Sequence, residues 1–165
     1  MALAQEITNE IDCWVAKYPP EQKRSAVIAA LRIVQEHHAG WLRKDDLQEI
    51  ADYLGLPGIM VYEVATFYDM VELSPVGQYK INVCTNLPCQ LSGCNKIVAH
   101  LTKRLGIGLG ETTGDGKITL KEVECMAACA NAPMCQVNDK KYHLDLTPEK
   151  IDALLQTLGV EVANG

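Results

Sequence analysis

The chain contains 165 residues, of which 48% are apolar and 22% are charged. This composition is typical of a globular protein with one domain or two small ones, and it excludes a disordered chain. No apolar run reaches the roughly 18 residues of a membrane-spanning helix, and the first residues lack the pattern of a secretory signal or a transit peptide. We therefore expect a cytoplasmic bacterial protein without direct membrane insertion.

Charge divides the chain into two parts. Residues 1–76 contain 6 basic and 12 acidic side chains, whereas residues 77–165 contain 9 of each. Neither part carries the clustered lysine and arginine side chains that phosphate contacts require, so nucleic acid is not an expected partner. The turn-forming residues around Pro75 lie at the same point of the sequence. They predict a domain boundary there, with one domain over 1–76 and a second over 77–165.

The first domain contains four helical patterns. The first of them is an apolar stripe at helical spacing, made of Ile7, Ile11, Trp14 and Tyr18. Pro19 and Pro20 end it. The following patterns predict helices over residues 21–38, 44–54 and 58–70. Phe67 in the last helix is expected to pack in the core. The first domain is therefore predicted to be a small helical bundle.

The second domain alternates between strand and helix patterns. The predicted strands cover residues 79–83, 117–123, 134–138 and 141–145. A helical apolar face at 97–105 separates the first two strands, and a last helix begins at Pro148 with Thr147 as its N-cap. This order predicts one mixed sheet with helices packed on it. The whole chain is thus predicted to be an α+β protein, a helical bundle followed by an α/β domain.

Six of the seven cysteines lie in the second domain, within a stretch of 52 residues. Their number and the lack of an export signal argue against a disulfide framework and favour metal or redox chemistry. Four residues separate Cys84 from Cys89, and three separate Cys125 from Cys129. Each pair follows a predicted strand, so two neighbouring loops can supply four thiolates to one centre.

Three interpretations fit these four thiols. Structural zinc sites take four thiolates, but at least one pair is usually separated by two residues, and neither gap here is two. A 2Fe–2S cluster takes two thiolates on each iron, which suits two pairs. A dithiol redox site would use a C-x-x-C motif, which the chain lacks. The spacing favours an iron–sulfur cluster over zinc, with free structural thiols as a third alternative.

Polar groups near the cysteines can donate hydrogen bonds to cluster sulfur and tune its potential. The candidate donors are Asn86, Gln90, Ser92, Gly93 and Asn131. Glu124 adjoins Cys125, and its negative charge is expected to lower the reduction potential of a cluster.

Several motifs occur in the order found in one family. They are Cys84-x4-Cys89, Val123–Cys129 and Asn131–Met134, with Val64–Tyr68, Pro75–Gly77, Gly110–Thr113 and Leu146–Glu149 around them. With these motifs the chain resembles the 24-kDa or E subunits of the respiratory NADH:quinone oxidoreductase, complex I. The resemblance covers about residues 25–160.

This resemblance implies a thioredoxin-like second domain that holds one 2Fe–2S cluster on Cys84, Cys89, Cys125 and Cys129. The other three cysteines fall outside the family pattern. Cys135 is expected to be a small buried hydrophobe. Cys94 is a fifth thiol close to the cluster, and its role is open at this point.

The resemblance also implies an electron-transfer subunit of an NADH dehydrogenase, at the cytoplasmic face of the bacterial inner membrane. Its partner would be the subunit that binds NADH, FMN and a 4Fe–4S cluster, since no flavin or NADH site is expected in this chain. Two related alternatives are the equivalent subunit of an NAD-dependent formate dehydrogenase or of an NAD-reducing hydrogenase. An alternative from another class is a zinc-stabilised interaction module.

Overall fold

The computed structural model describes residues 3–160, and the chain divides into two compact units, Met1–Pro75 and Val76–Gly165. The first unit is helical, and the second contains a four-stranded sheet with helices. Within residues 3–160, none of the helices combines the length and apolar character that crossing a membrane requires.

Four α-helices and one 3-10 helix form the first unit. The α-helices are α1 (Gln5–Val15), α2 (Val27–His37), α3 (Lys44–Leu54) and α4 (Gly58–Phe67). The 3-10 helix, Pro20–Ala26, takes up the first turns of the helix predicted over 21–38. Gln22 in this segment has a φ of −107° and a ψ of 28°, outside the helical range, so α2 begins only at Val27. The four predicted helices are confirmed, with a later start for α2 than expected.

Aliphatic side chains from all four helices fill the centre of the first unit. The most buried are Ile11, Val27, Ala30, Leu31, Val34, Leu42, Ile50, Ala51 and Val61. Burying each of the larger ones contributes about 1.5–3 kcal/mol relative to leaving it exposed. Gly55 ends α3 in the left-handed conformation (φ 67°), which lets Leu56 N–H bond the carbonyl oxygen of Ala51 at 2.9 Å. Helix α4 ends at Phe67 instead of residue 70, because Tyr68 is extended (φ −94°, ψ 116°).

Two aromatic side chains are more exposed than the sequence pattern predicts. Phe67 is 79% exposed, so the prediction that it packs in the core is wrong. Helix α4 has apolar residues over most of its surface but buries only Val61 and Ala65, and spacing alone therefore does not show which face packs. Trp14 is 41% exposed, and Lys17 Nζ lies 3.5 Å from the centroid of its ring.

The second unit contains the predicted mixed sheet. Its strands are β1 (Tyr79–Cys84), β2 (Ile118–Val123), β3 (Cys135–Val137) and β4 (Lys141–His143). Their order across the sheet is β2-β1-β3-β4, with β1 and β2 parallel and the other pairs antiparallel. Parallel neighbours need a crossover connection, and the helical segment between β1 and β2 provides it.

Three helices accompany the sheet, namely α5 (Leu87–Leu91), α6 (Cys94–Leu105) and α7 (Pro148–Thr157). Helices α6 and α7 bury Leu101, Ile151 and Leu155 against Ile81 and Leu120 of the strands. Helix α5 lies within the segment predicted as a loop, because five residues are too few to show a helical repeat. The α/β domain with one mixed sheet that is predicted for this part of the chain is confirmed.

The sheet brings three chain segments to one edge. Because β1 and β2 are parallel, Cys84 and Val123 are paired at the carboxyl ends of both strands. Strand β3 runs the other way, so its first residue, Cys135, lies opposite Val83 near the same edge. The segments that follow β1 and β2, and the one that precedes β3, therefore meet there.

Asp46 provides a test of packing in the first unit. Its side chain is 2% exposed and accepts hydrogen bonds from the Arg43 backbone N–H (2.7 Å) and Nη2 (3.0 Å), while His38 Nδ1 lies 3.2 Å away. Burial by itself would raise the pKa of Asp46, but these neighbours outweigh it and hold the pKa below its usual value. The ionised Asp46 carboxylate therefore stabilises the folded protein at any pH above the pKa that Asp46 has in the unfolded chain. This stabilisation is lost as the pH falls through the lower pKa that Asp46 has in the folded protein.

We expect Asp46→Asn to lower the free energy of unfolding by about 1–3 kcal/mol at pH 7. The difference from the parent should shrink as the pH falls below about 4, because the Asp46 carboxylate of the unfolded parent then takes up a proton, and that of the folded parent does so only at a lower pH. Urea unfolding followed by circular dichroism at pH 7 and pH 3 measures both values. Asp45→Asn, which changes an exposed neighbour on the same helix, should shift stability by less than about 0.5 kcal/mol. An equal loss for Asp46→Asn at both pH values would contradict this account.

Candidate metal centre

Two cysteine pairs lie at this edge of the sheet. Cys84 is the last residue of β1, and Cys89 follows it in α5. Cys125 comes two residues after β2, and Cys129 begins a short 3-10 turn, Cys129–Asn131. Parallel pairing of β1 with β2 thus places both thiol-bearing segments side by side, as the order of strands predicts.

The two pairs differ in their exposure to solvent. Cys84 and Cys89 are each 2% exposed, whereas Cys125 and Cys129 lie at the surface. The sulfur atoms of Cys125 and Cys129 are 3.8 Å apart. Met134 is 1% exposed and packs with Cys84 and Cys89, so the inner side of the site is closed by an apolar side chain. The site therefore has one buried and one accessible pair of thiols.

Thiolates at this edge repel one another. Burial, followed by contact with Cys84 and its charge, raises the pKa of Cys89 to about 11. The pKa of Cys129 is also raised, first by its hydrogen bond with Cys125, then by burial and by the charges of Cys125 and Cys84. The charge of Cys84 thus reaches Cys129 on the other segment. A positively charged iron centre would remove the repulsion within each pair, because metal binding replaces the protons of thiols.

Backbone N–H groups donate to two of the sulfur atoms. Ala127, with a φ of 61°, donates from its N–H to Cys125 Sγ over 3.3 Å. The Met134 N–H donates to Cys89 and opposes the rise of its pKa. No residue pattern points to these donors, since every residue except proline has a backbone N–H. Such bonds favour the thiolate form of each sulfur and hence its use as a ligand.

Two of the predicted side-chain donors are used elsewhere. Asn86 Nδ2 donates to Glu124 Oε2 at 2.7 Å, so it joins the segment after β1 to the segment after β2. Asn131 Nδ2 donates to Asp145 Oδ2 at 3.1 Å and fixes the second segment to the turn after β4. One N–H of each amide therefore holds the segments in place, a role that the sequence does not predict.

The other cysteines have different surroundings. Cys94 is fully buried beside Cys84, Cys89 and Met134. Cys135 is fully buried in the sheet core, where burial raises its pKa to about 12, and the prediction of a small buried hydrophobe is confirmed. Cys13 is exposed on α1 of the first unit. In residues 3–160, no group of three or more His, Cys, Asp or Glu side chains is arranged around a position for a single metal ion.

Known proteins are similar to this chain over most of its length. The family model of the thioredoxin-like [2Fe-2S] ferredoxins matches residues 11–159. The E subunit of the NADH-quinone oxidoreductase of Rickettsia felis is 45% identical over 150 residues, which are 91% of this chain and 89% of that protein. An E subunit of the NADH-quinone oxidoreductase of Rhizobium meliloti is 43% identical over 149 residues, which are 90% of this chain and 86% of that protein.

A solved structure of an NAD+-reducing [NiFe]-hydrogenase in the air-oxidised state has a similar fold. Its TM-score is 0.67 at 22% sequence identity, over 81% of this chain and 22% of the hydrogenase chain. At this identity the likeness concerns the fold alone. The family match over residues 11–159 shows that this chain belongs to the thioredoxin-like [2Fe-2S] ferredoxin family, whose cofactor, one 2Fe–2S cluster, is also its own.

Proposed function

We propose that this chain is an electron-transfer subunit of a bacterial NADH-quinone oxidoreductase, a respiratory oxidoreductase complex. The observation that carries the proposal is the two cysteine pairs at one sheet edge, in a chain 43% to 46% identical to the E subunits of such enzymes. Those relatives match about nine tenths of this chain, so the likeness includes both units.

The proposed ligands are Cys84 and Cys89 on one iron, and Cys125 and Cys129 on the other. Two features support this set. The sulfur atoms of Cys125 and Cys129 are already 3.8 Å apart, and Cys84 interacts both with Cys89 and with Cys129. A bound 2Fe–2S cluster supplies one-electron exchange. The protein's part is to hold four thiolates together and to direct the Ala127 and Met134 N–H groups at them.

The exposed side of the site supports a role in exchange with another protein. Cys125 and Cys129 lie at the surface, and the nearby helix α5 exposes two apolar side chains, Leu87 (64%) and Leu91 (82%). Exposed apolar residues around a site are common where a protein partner binds. We take this partner to be a subunit that binds NADH, FMN and a 4Fe–4S cluster, as the resemblance to E subunits implies. Hydride transfer would then occur on the partner, at the cytoplasmic face of the inner membrane.

A hydrogenase assembly is a second candidate. The fold of the NAD+-reducing [NiFe]-hydrogenase favours it, because its chain contains a segment similar to 81% of this one. The identity of 22% is about half that of the E subunits, so we place the oxidoreductase first. The chemistry expected of this chain is the same in both complexes. Copurification of the tagged chain with its partners, followed by mass spectrometry, would separate the two.

We expect Cys84→Ala, Cys125→Ala and Cys129→Ala each to lose the cluster, because each variant leaves the cluster with only three of its four thiolates. Iron and acid-labile sulfide should fall from about two of each per chain to below about a tenth of that value. The spin-half EPR signal after dithionite reduction should disappear. Iron, sulfide and the EPR signal are measured on the anaerobically purified chain, and circular dichroism confirms that each variant is folded.

Cys13→Ala and Cys135→Ala are matched controls for the loss of one thiol. Both should keep the iron, the sulfide and the EPR signal of the parent, because neither residue is a proposed ligand. If the parent instead contains one zinc and no sulfide, the electron-transfer proposal is wrong.

Glu124 provides a test of how charge tunes the site. Glu124→Gln removes a negative charge next to Cys125 but keeps an oxygen that can accept the Asn86 hydrogen bond. We expect the midpoint potential to rise by tens of millivolts, since a charge several ångströms away acts with about 1–2 kcal/mol at the dielectric of a protein surface. A dye-mediated redox titration followed by EPR measures the shift.

Asp115→Asn is the control for Glu124→Gln. It also removes one hydrogen-bonded carboxylate, but Asp115 lies in the turn before β2, at the opposite end of that strand from Cys125. The midpoint potential of the Asp115→Asn variant should stay close to that of the parent. Equal potentials for Glu124→Gln and the parent would show that Glu124 is only a solvated charge.

A further inference from the structure

Cys94 lies among the proposed ligands although it is not one of them. It is fully buried and packs in one group with Cys84, Cys89 and Met134. The polar contact of its sulfur is long, 3.8 Å from Cys94 Sγ to Asn95 Oδ1. A third thiol is therefore available on the buried side of the site.

A short connection joins Cys94 to Cys89. Four residues separate Cys89 from Cys94, the same number that separates Cys84 from Cys89. Gly93 stands between α5 and α6 with a φ of 93°, and a Cβ built on it meets nothing within 4 Å. Helix α5 is only five residues long and leaves Leu87 and Leu91 mostly exposed. Bringing Cys94 to the place of Cys89 therefore calls for a movement of α5 against α6, with β1 in place.

We propose that Cys94 is a reserve ligand, which takes the place of Cys89 on its iron when the Cys89 thiolate is missing. This inference rests on the ligand set proposed above. Where Cys89 is absent, the Cys94 sulfur would bind the iron at the position left open, and a water molecule bound there would leave. The Cys94 thiol would give up its proton to water. No electron is gained or lost, so no oxidant or reductant is needed.

The simpler alternative is that Cys94 fills space as Cys135 does. Both thiols are fully buried, but their neighbours differ. Cys135 packs among the aliphatic side chains of the sheet core, whereas Cys94 packs with two proposed ligands. Cys135 is therefore the matched control for removing a buried thiol that is not a proposed ligand.

The experiment compares five full-length proteins purified anaerobically: the parent, Cys94→Ala, Cys89→Ala, and Cys89→Ala combined with Cys94→Ala or with Cys135→Ala. Alanine is used at position 89 because serine can itself bind iron. Iron, acid-labile sulfide and the EPR spectrum after dithionite are measured, and circular dichroism reports folding. These readouts do not depend on the activity of an assembled enzyme.

If the proposal is correct, Cys94→Ala keeps the parent's iron and sulfide. Cys89→Ala keeps at least about half of them, with altered EPR g-values because the ligand geometry has changed. Adding Cys94→Ala to Cys89→Ala removes the cluster, so that its iron falls about tenfold, whereas adding Cys135→Ala does not.

Three results would overturn it, and they bear differently on the ligand set. Loss of the cluster in Cys89→Ala would end the reserve role and keep Cys89 as a ligand. Retention of the cluster when Cys89 and Cys94 are both alanine would show that neither binds iron. That result would contradict the proposed ligand set as well as the reserve role. Loss in Cys94→Ala alone would make Cys94 a native ligand. If circular dichroism shows that the Cys89/Cys94 double variant is unfolded, the g-values of Cys89→Ala decide. Altered g-values support the proposal, and g-values equal to those of the parent reject it.

Discussion

The parallel pairing of β1 with β2 is the constraint on which the site depends. It sets Cys84 beside Val123 at one edge of the sheet, so that the segments after both strands begin next to each other. The register is enforced by the core, because Ile81 and Leu120 pair with each other and are fully buried. A shift by one residue would turn these side chains to the other face of the sheet. The separation of the two cysteine pairs is thus determined by aliphatic packing some distance from either pair.

Much of this arrangement is predictable from the sequence. Alternating polarity marks β1 and β2, and the apolar face of residues 97–105 marks the crossover helix that makes them parallel. Once two strands are parallel, cysteines that follow each of them must lie at the same edge. The burial of Cys135 was predictable as well, because it begins a strand at the centre of an apolar sheet.

Other features depend on information that spacing does not contain. Helix α5 is shorter than two helical turns, so no repeat reveals it. Phe67 lies on a helix that is apolar over most of its surface, and only the packed structure shows that Val61 and Ala65 face inward instead. The donors to Cys89 and Cys125 are backbone N–H groups, which no residue type distinguishes. The partners of Asn86 and Asn131 are carboxylates brought near by the fold, Glu124 and Asp145.

The hydrogen bond between Asn86 and Glu124 has a consequence for how the site is held together. It joins the two cysteine-bearing segments through side chains that are not ligands, and the strand pairing behind it does the same through the backbone. Part of the conformational entropy cost of bringing the segments together is therefore offset by contacts within the polypeptide and not by bonds to metal. In small zinc domains, by contrast, the ligands converge only as the metal binds, and the domains are unfolded without it.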